Sequence, residues 1–166
     1  ATRNKRVGLI ATAASVRSGA YERCLAALDG AIQVYVKACP LFVPLVENGR
    51  FRPGDPVIET VAREYLEPLR ATGIDTLILG CTHYPLLKTM IGEFMGQSVT
   101  LIDPAKTAAH HLERMLAERG LRAAPEKEGQ AHFYVSDVPD SFVQTADLFL
   151  GEYRGGPVDQ IAIDKY

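Results

Sequence analysis

The stretch D-T-L-I-L-G at Asp75 to Gly80, followed at once by C-T-H-Y-P at Cys81 to Pro85, decides the fold. A continuous apolar run ended by glycine is what a strand covered on both faces looks like. Proline is favoured at the first helical position, so a helix opens at Pro85, with Leu87, Met90, Ile91 and Phe94 as its core face. Downstream, Val99–Ile102 is the next strand. Pro104–Arg119 is a helix with Ala108, Leu112, Met115 and Leu116 inward, stopped by Gly120. A charged connection at 123–130 leads to strand His132–Val135, helix Asp140–Leu150 and strand Val158–Ile163. Upstream, Val7–Ala11 is a buried strand, and 18–28 is a helix carrying Tyr21, Cys24, Leu25 and Leu28 on one face. Ile32, Val34 and Val36 alternate as a strand, Cys39–Pro56 reads as a long loop, and Val57–Leu69 is a helix with Pro68 in its last turn. Strands alternating with helices give an α/β fold with a mainly parallel sheet flanked by helices.

In such folds ligands bind outside the carboxyl ends of the strands. The residues just past each strand are Thr12 to Ser15, Cys39 to Gly49, Cys81 to Tyr84, and Asp103, so polar groups and two cysteines gather at one sheet edge. Cys24 reads as a buried, structural thiol on its helix face, and Cys39 as a packed one. Cys81 differs: it precedes a helix N-terminus and has His83 two residues on, both of which favour thiolate, so it is expected to be the most reactive of the three.

Composition narrows the function. Eighteen basic against 20 acidic residues, a net of −2, give no electrostatic reason to expect nucleic acid or an anionic membrane as partner. No apolar run approaches the ~20 residues of a membrane helix. Residues 1–6 are polar and run straight into a strand, so no signal peptide is expected, and the missing initiator methionine suggests that something upstream has been removed. Three cysteines, an odd number, argue against a disulfide framework and for a reducing, cytoplasmic setting. Cys81 and His83 are too close to match zinc-ligand spacing, and no Gly-rich phosphate loop is present, so no metal, nicotinamide or pyridoxal phosphate is expected.

The run L-I-L-G-C-T-H-Y-P-L-L at Leu77 to Leu87 resembles the second cysteine motif of glutamate racemases. V-G-L-I-A-T-A-A-S-V-R-S-G-A-Y at Val7 to Tyr21, A-C-P-L-F-V-P-L-V-E at Ala38 to Glu47, L-I-D-P-A at Leu101 to Ala105 and D-L-F-L-G at Asp147 to Gly151 are similar to further segments of that family. Ser15 stands where the family pattern has threonine, which keeps the hydroxyl. The family's opening D-S-G segment and the N-T-A segment beside its first catalytic cysteine have no match, as though roughly the front hundred residues were absent.

The resemblance implies one complete racemase-type domain at 5–103 carrying Cys81. Residues 104–166 would be the C-terminal part of a second domain, packing back on a largely missing first domain. It implies Cys81, His83 and Glu47 as catalytic residues and Thr82, His83, Thr12 and Ser15 as substrate contacts. The activity implied is cofactor-independent interconversion of L- and D-glutamate by two cysteines, serving peptidoglycan synthesis. The partner is the small-molecule substrate, and a homodimer is compatible with the family. Two alternatives stay open: a non-catalytic, truncated racemase-like binding domain, and an isomerase like aspartate racemase.

Overall fold

The computed structural model describes residues 1–124, 129–150 and 155–163, apart from the side chain of Ser141. It divides into two compact units, Ala1–Arg114 and Met115–Tyr166. The first holds β1 (Arg6–Ala11), α1 (Ala13–Ser18), α2 (Ala20–Leu28), β2 (Gln33–Ala38), α3 (Phe42–Glu47), α4 (Pro56–Ala71), β3 (Thr76–Gly80), a 3-10 turn at Tyr84–Leu87, α5 (Lys88–Met95) and β4 (Thr100–Ile102). Helix α6 (Pro104–Glu118) starts in this unit.

The four strands form a wholly parallel sheet in the order β2-β1-β3-β4. Alternation along the strands separates two apolar layers. Ile10, Leu77 and Leu79 pack with Ile58, Leu66, Leu87 and Ile91, under α4 and α5. Val7, Leu9, Ala11 and Ile78 pack on the other face with Tyr21 and Leu25 of α2. All five residues of β3 are buried, as the apolar run D-T-L-I-L-G predicts for a central strand. Gly80 ends β3 where only glycine fits, because a Cβ there would lie 2.9 Å from the Ile10 carbonyl oxygen of the paired strand.

Local chemistry sets the helix ends. Thr12 caps α1. Asp55 caps α4, accepting a bond from the Val57 amide, and Pro56 occupies the first turn. Pro68 lies inside the last turn of α4, as its position predicts. The expected helix over 18–28 is interrupted by Gly19, whose φ of 61° ends α1 and begins α2.

Several expectations are corrected. Cys39–Pro56 is not all loop: Phe42–Glu47 is helical although Pro44 interrupts any periodic signal, because Phe42 and Val46 bury completely. Cys24 is exposed, and Leu28 is 80% exposed. Only Tyr21 and Leu25 of that helix face reach the sheet, and the other two lie on its flank and at its end. On α6, Ala108 and Leu112 are exposed, and Met115 and Leu116 are only half-buried. An amphipathic stripe turns inward only where another element covers it, and no residue of α6 is buried among the described residues.

The second unit, taken by itself, is a β-α-β arrangement: β5 (Phe133–Val135), α7 (Pro139–Leu150) and β6 (Val158–Gln160), with β5 and β6 parallel. Phe142 of α7 packs on Phe133 with ring centroids 5.3 Å apart. Strand β6 ends at Gln160, three residues short of the expected Ile163. Gly151 of the D-L-F-L-G segment, 125–128 of the charged connection and 164–166 of the C-terminal segment lie outside the described residues. Among the described residues, no helix is long and apolar enough to cross a membrane.

Asp75, at the foot of β3, fastens the N-terminal residues to the sheet. Its carboxylate accepts the Thr2 hydroxyl at 2.7 Å, the Asn4 and Arg3 amides at 2.8 and 2.7 Å, and the Thr76 hydroxyl at 3.0 Å. These bonds, the Thr2 hydroxyl first, hold its carboxyl well below the usual carboxylate range. A folded-state pKa below the unfolded value stabilises the fold fully above the unfolded pKa of about 3.9, and the contribution fades as pH falls from there through the folded value. The stability lost in Asp75→Asn should therefore be constant near neutrality and narrow progressively below about pH 4. Urea unfolding of both forms at several pH values reads this, and a gap that stays unchanged at pH 3 would contradict it.

Candidate active site

The parallel register brings the site together. Ala11 of β1 pairs with Gly80 of β3 on one side and Ala38 of β2 on the other. Thr12, Cys39 and Cys81, each the next residue along, thus leave the sheet at the same edge. Beyond them stand the N-terminus of α1, the helix α3, and the 3-10 turn that leads into α5.

Cys81 is half-buried, with its Sγ 3.9 Å from Nδ1 of His83. The same nitrogen lies 3.3 Å from the Thr82 hydroxyl. On the far side of the ring, His83 Nε2 is 3.0 Å from Oε1 of Glu47, the last residue of α3. A carboxylate only accepts, so Nε2 carries the hydrogen of this contact. Nδ1, on the other side of the ring, faces the thiol and the Thr82 hydroxyl. The sequence-predicted residues Cys81, Thr82, His83 and Glu47 thus form one continuous polar chain. Its exposure is graded: the His83 side chain is 18% exposed and that of Glu47 49%. Glu47 is no stray loop carboxylate, since α3 delivers it to the ring across 36 residues of sequence.

Thr12 and Ser15 sit at the same edge but bond to each other. Their hydroxyl oxygens are 3.1 Å apart, and Thr12 Oγ1 also accepts the Ser15 amide at 3.3 Å. In this structure both serve the cap of α1.

A cavity of about 310 Å³ opens beside Cys81, lined also by Thr82, Gly80, Tyr21, Asp103 and Pro104. Tyr21 is an addition to the residues read from sequence at this edge, whereas Asp103 was placed there as the residue just past β4. Tyr21 was assigned to a helix core face. Asp103 bonds the Ala105 and Lys106 amides as a helix cap. Strand β4 lies next to β3, and both release their chains beside the same cavity, which brings Asp103 to it. Among the described residues, no group of three His, Cys, Asp or Glu side chains could hold a metal ion.

All three cysteines are free, and they occupy contrasting settings. Burial in the apolar core pushes the Cys39 thiol up to about 12, against a weaker opposing pull from Lys37. In the folded chain Cys39 should therefore resist iodoacetamide at pH 8 while Cys24 and Cys81 are modified. Peptide mapping reads the order, and labelling of Cys39 at the rate of Cys24 would refute it. The realistic rival to Cys81 in such an experiment is the exposed Cys24.

A thiol, an imidazole and a carboxylate thus line up at the carboxyl edge of a parallel sheet beside a small cavity, groups of the kind that can exchange protons. The family model of Asp/Glu/hydantoin racemases matches residues 1–112. The chain belongs to that family. It is similar to the glutamate racemase of Geobacter metallireducens, 42% identical over 163 residues, and to that of Neisseria meningitidis serogroup A, 45% identical over 150 residues. These matches take in 98% and 90% of this chain but 59% and 54% of the relatives. Among solved structures, it resembles the Francisella tularensis glutamate racemase in complex with D-glutamate, with a TM-score of 0.87 at 35% identity, covering 98% of this chain and 59% of that one. It also resembles the Thermus thermophilus glutamate racemase in complex with β-chloro-D-alanine, with a TM-score of 0.81 at 41% identity, covering 97% and 58%. The chain thus spans less than two thirds of the length of these relatives.

Proposed function

We propose that these residues are the Cys81 half of a glutamate racemase, a cofactor-independent isomerase that interconverts L- and D-glutamate. The observation that carries the reading is the hydrogen-bonded series Glu47–His83–Cys81 beside the cavity.

The chemistry needs two acid–base groups on opposite faces of the substrate's α-carbon. On one face a thiolate takes the α-hydrogen: the C–H bond breaks, an S–H bond forms, and the electron pair stays on the α-carbon and its carboxylate. On the other face a thiol gives its proton to that carbon. Cys81 is one of the two sulfurs. Glu47 fixes the His83 tautomer, so that Nδ1 receives the thiol proton and returns it. The second thiol comes from the part of the protein that corresponds to the remaining length of the relatives. Thr82 and His83 meet the carboxylate and amine region of the substrate, and Thr12 and Ser15 turn their hydroxyls from capping to substrate contact.

In the same reading, residues 5–103 are the racemase domain that carries Cys81, and 104–166 pack on the domain supplying the other thiol. The protein works in the cytoplasm, as a homodimer, and provides D-glutamate for peptidoglycan. The relatives' names and the D-glutamate complex support the choice of substrate.

The test is circular dichroism of L- and of D-glutamate incubated with the full-length protein. The expected result is decay of both signals to zero at a common rate set by enzyme concentration. Activity on aspartate with none on glutamate would replace this substrate, and activity on neither would remove the enzymatic reading.

A further inference from the structure

We propose that Tyr84 is a positioning residue, which holds Glu47 against His83 by fastening the Cys81–Tyr84 turn to the start of α3. This rests on the proposed racemase reaction and adds to it the device that aligns the proton-transfer chain.

Glu47 is presented by a weakly determined element. Helix α3 has six residues, contains Pro44 and has no side-chain cap at its N-terminus. A helix so short is not stable by itself and takes its place from packing. It packs on Tyr84 of the 3-10 turn and on Tyr65 of α4. The Tyr84 side chain is fully buried, and its hydroxyl donates to the Cys39 carbonyl at 3.0 Å across 45 residues of sequence. The same carbonyl accepts the amide of Phe42, the first residue of α3, at 3.3 Å. The Phe42 ring meets the Tyr84 ring edge to face, with centroids 5.3 Å apart and planes at 89°. Tyr65 of α4 holds Phe42 from another side at 5.3 Å. One carbonyl and one aromatic contact thus join two segments at their bases, and five residues further along α3 Glu47 reaches the ring of His83, the neighbour of Tyr84. Burial raises the Tyr84 phenol above its ordinary range, so it stays a hydroxyl and a donor across the working pH. Tyr84 is not among the residues that line the cavity. Its effect passes through the Glu47–His83 contact.

The experiment compares Tyr84→Phe, Phe42→Leu and Glu47→Ala in the full-length protein, singly and with each of the first two combined with the third. Tyr84→Phe keeps the ring and removes the tie. It should lower kcat for glutamate roughly tenfold, because small misplacement of a catalytic group is costly, with little change in KM. On the Glu47→Ala background the same change should cost less than about twofold, since a residue acting through Glu47 has nothing left to align. A loss that multiplies fully with that of Glu47→Ala, or an unchanged kcat, overturns the proposal. If Tyr84→Phe fails to fold by far-ultraviolet circular dichroism, Phe42→Leu, which spares the hydrogen bond, carries the same non-additivity test.

A second readout needs no activity. The His83 Nε2–H proton, protected by Glu47, should give a slowly exchanging NMR resonance that broadens alike in Glu47→Ala and Tyr84→Phe. A resonance lost in the first and intact in the second refutes the positioning role. It does so whether or not the protein racemises glutamate, so the racemase reading and this inference fail on different evidence.

Discussion

Cys81→Ser in the full-length protein is expected to lower glutamate racemisation roughly a thousandfold, the scale of a lost acid–base group. The side chain keeps its place and nearly its size. The turn that carries it is fixed by neighbours the substitution leaves alone: Gly80 pressed on β1, and Tyr84 buried beneath. What changes is acidity. A hydroxyl ionises far less readily than a thiol, so serine stays protonated near neutrality. One face of the α-carbon loses its proton acceptor, and the other keeps its own. The signature is therefore asymmetric. With one enantiomer, α-hydrogen exchange into deuterated water should survive without inversion, and with the other it should vanish. Circular dichroism reads the racemisation and proton NMR the exchange. Racemisation within tenfold of the parent rate, with an unchanged melting temperature, would remove Cys81 from the mechanism. Binding alone could also be disturbed, so KM is measured beside kcat. A loss confined to KM would indicate a contact residue in place of an acid–base group.

The sheet was legible because each central strand buries both faces, and Leu77 to Gly80 and Val7 to Ala11 hold nothing but apolar residues and glycine. Their shared carboxyl edge follows from parallel pairing, so Thr12, Cys81 and Asp103 could be placed together without coordinates. His83 was read beside Cys81 from spacing. Glu47 came only through resemblance, because α3 gives no periodic signal and owes its position to Phe42 and Val46 under Tyr84 and Tyr65. Helix faces were less legible than helices. The i, i+3, i+4 pattern in α2 picks out Tyr21, Cys24, Leu25 and Leu28, yet the sheet covers only Tyr21 and Leu25. Along α6, the pattern names Leu112, which is 49% exposed. Periodicity reports that a stripe is apolar and is silent on what covers it.

The 166-residue chain assayed alone should leave the circular dichroism of L-glutamate and D-glutamate unchanged under conditions where the full-length protein equilibrates them. Inversion needs a proton donor opposite Cys81, and neither other thiol can serve. Cys39 is fully buried in the apolar core and holds its proton up to about pH 12, so it offers neither a thiolate nor access. Cys24 was expected to fail because it would be buried. It fails for another reason: it is exposed on α2 one turn beyond Tyr21, and it is absent from the cavity lining that Tyr21 shares with Cys81. With a single base, the α-hydrogen can be taken and returned on one face only, which exchanges it with solvent and leaves the configuration intact. Even that requires the substrate to be held. Thr12 and Ser15 are bonded to each other, and Thr82 to His83, so contacts from the remainder of the protein are needed to fix the α-carbon at the thiol. Lost positioning alone costs several orders of magnitude. Adding the remaining segment in trans should restore measurable activity if the two parts reassemble. Racemisation by the verified 166-residue chain within tenfold of the full-length rate, abolished by Cys24→Ser, would show that Cys24 supplies the second proton and that the proposed division of the two thiols between the halves is wrong.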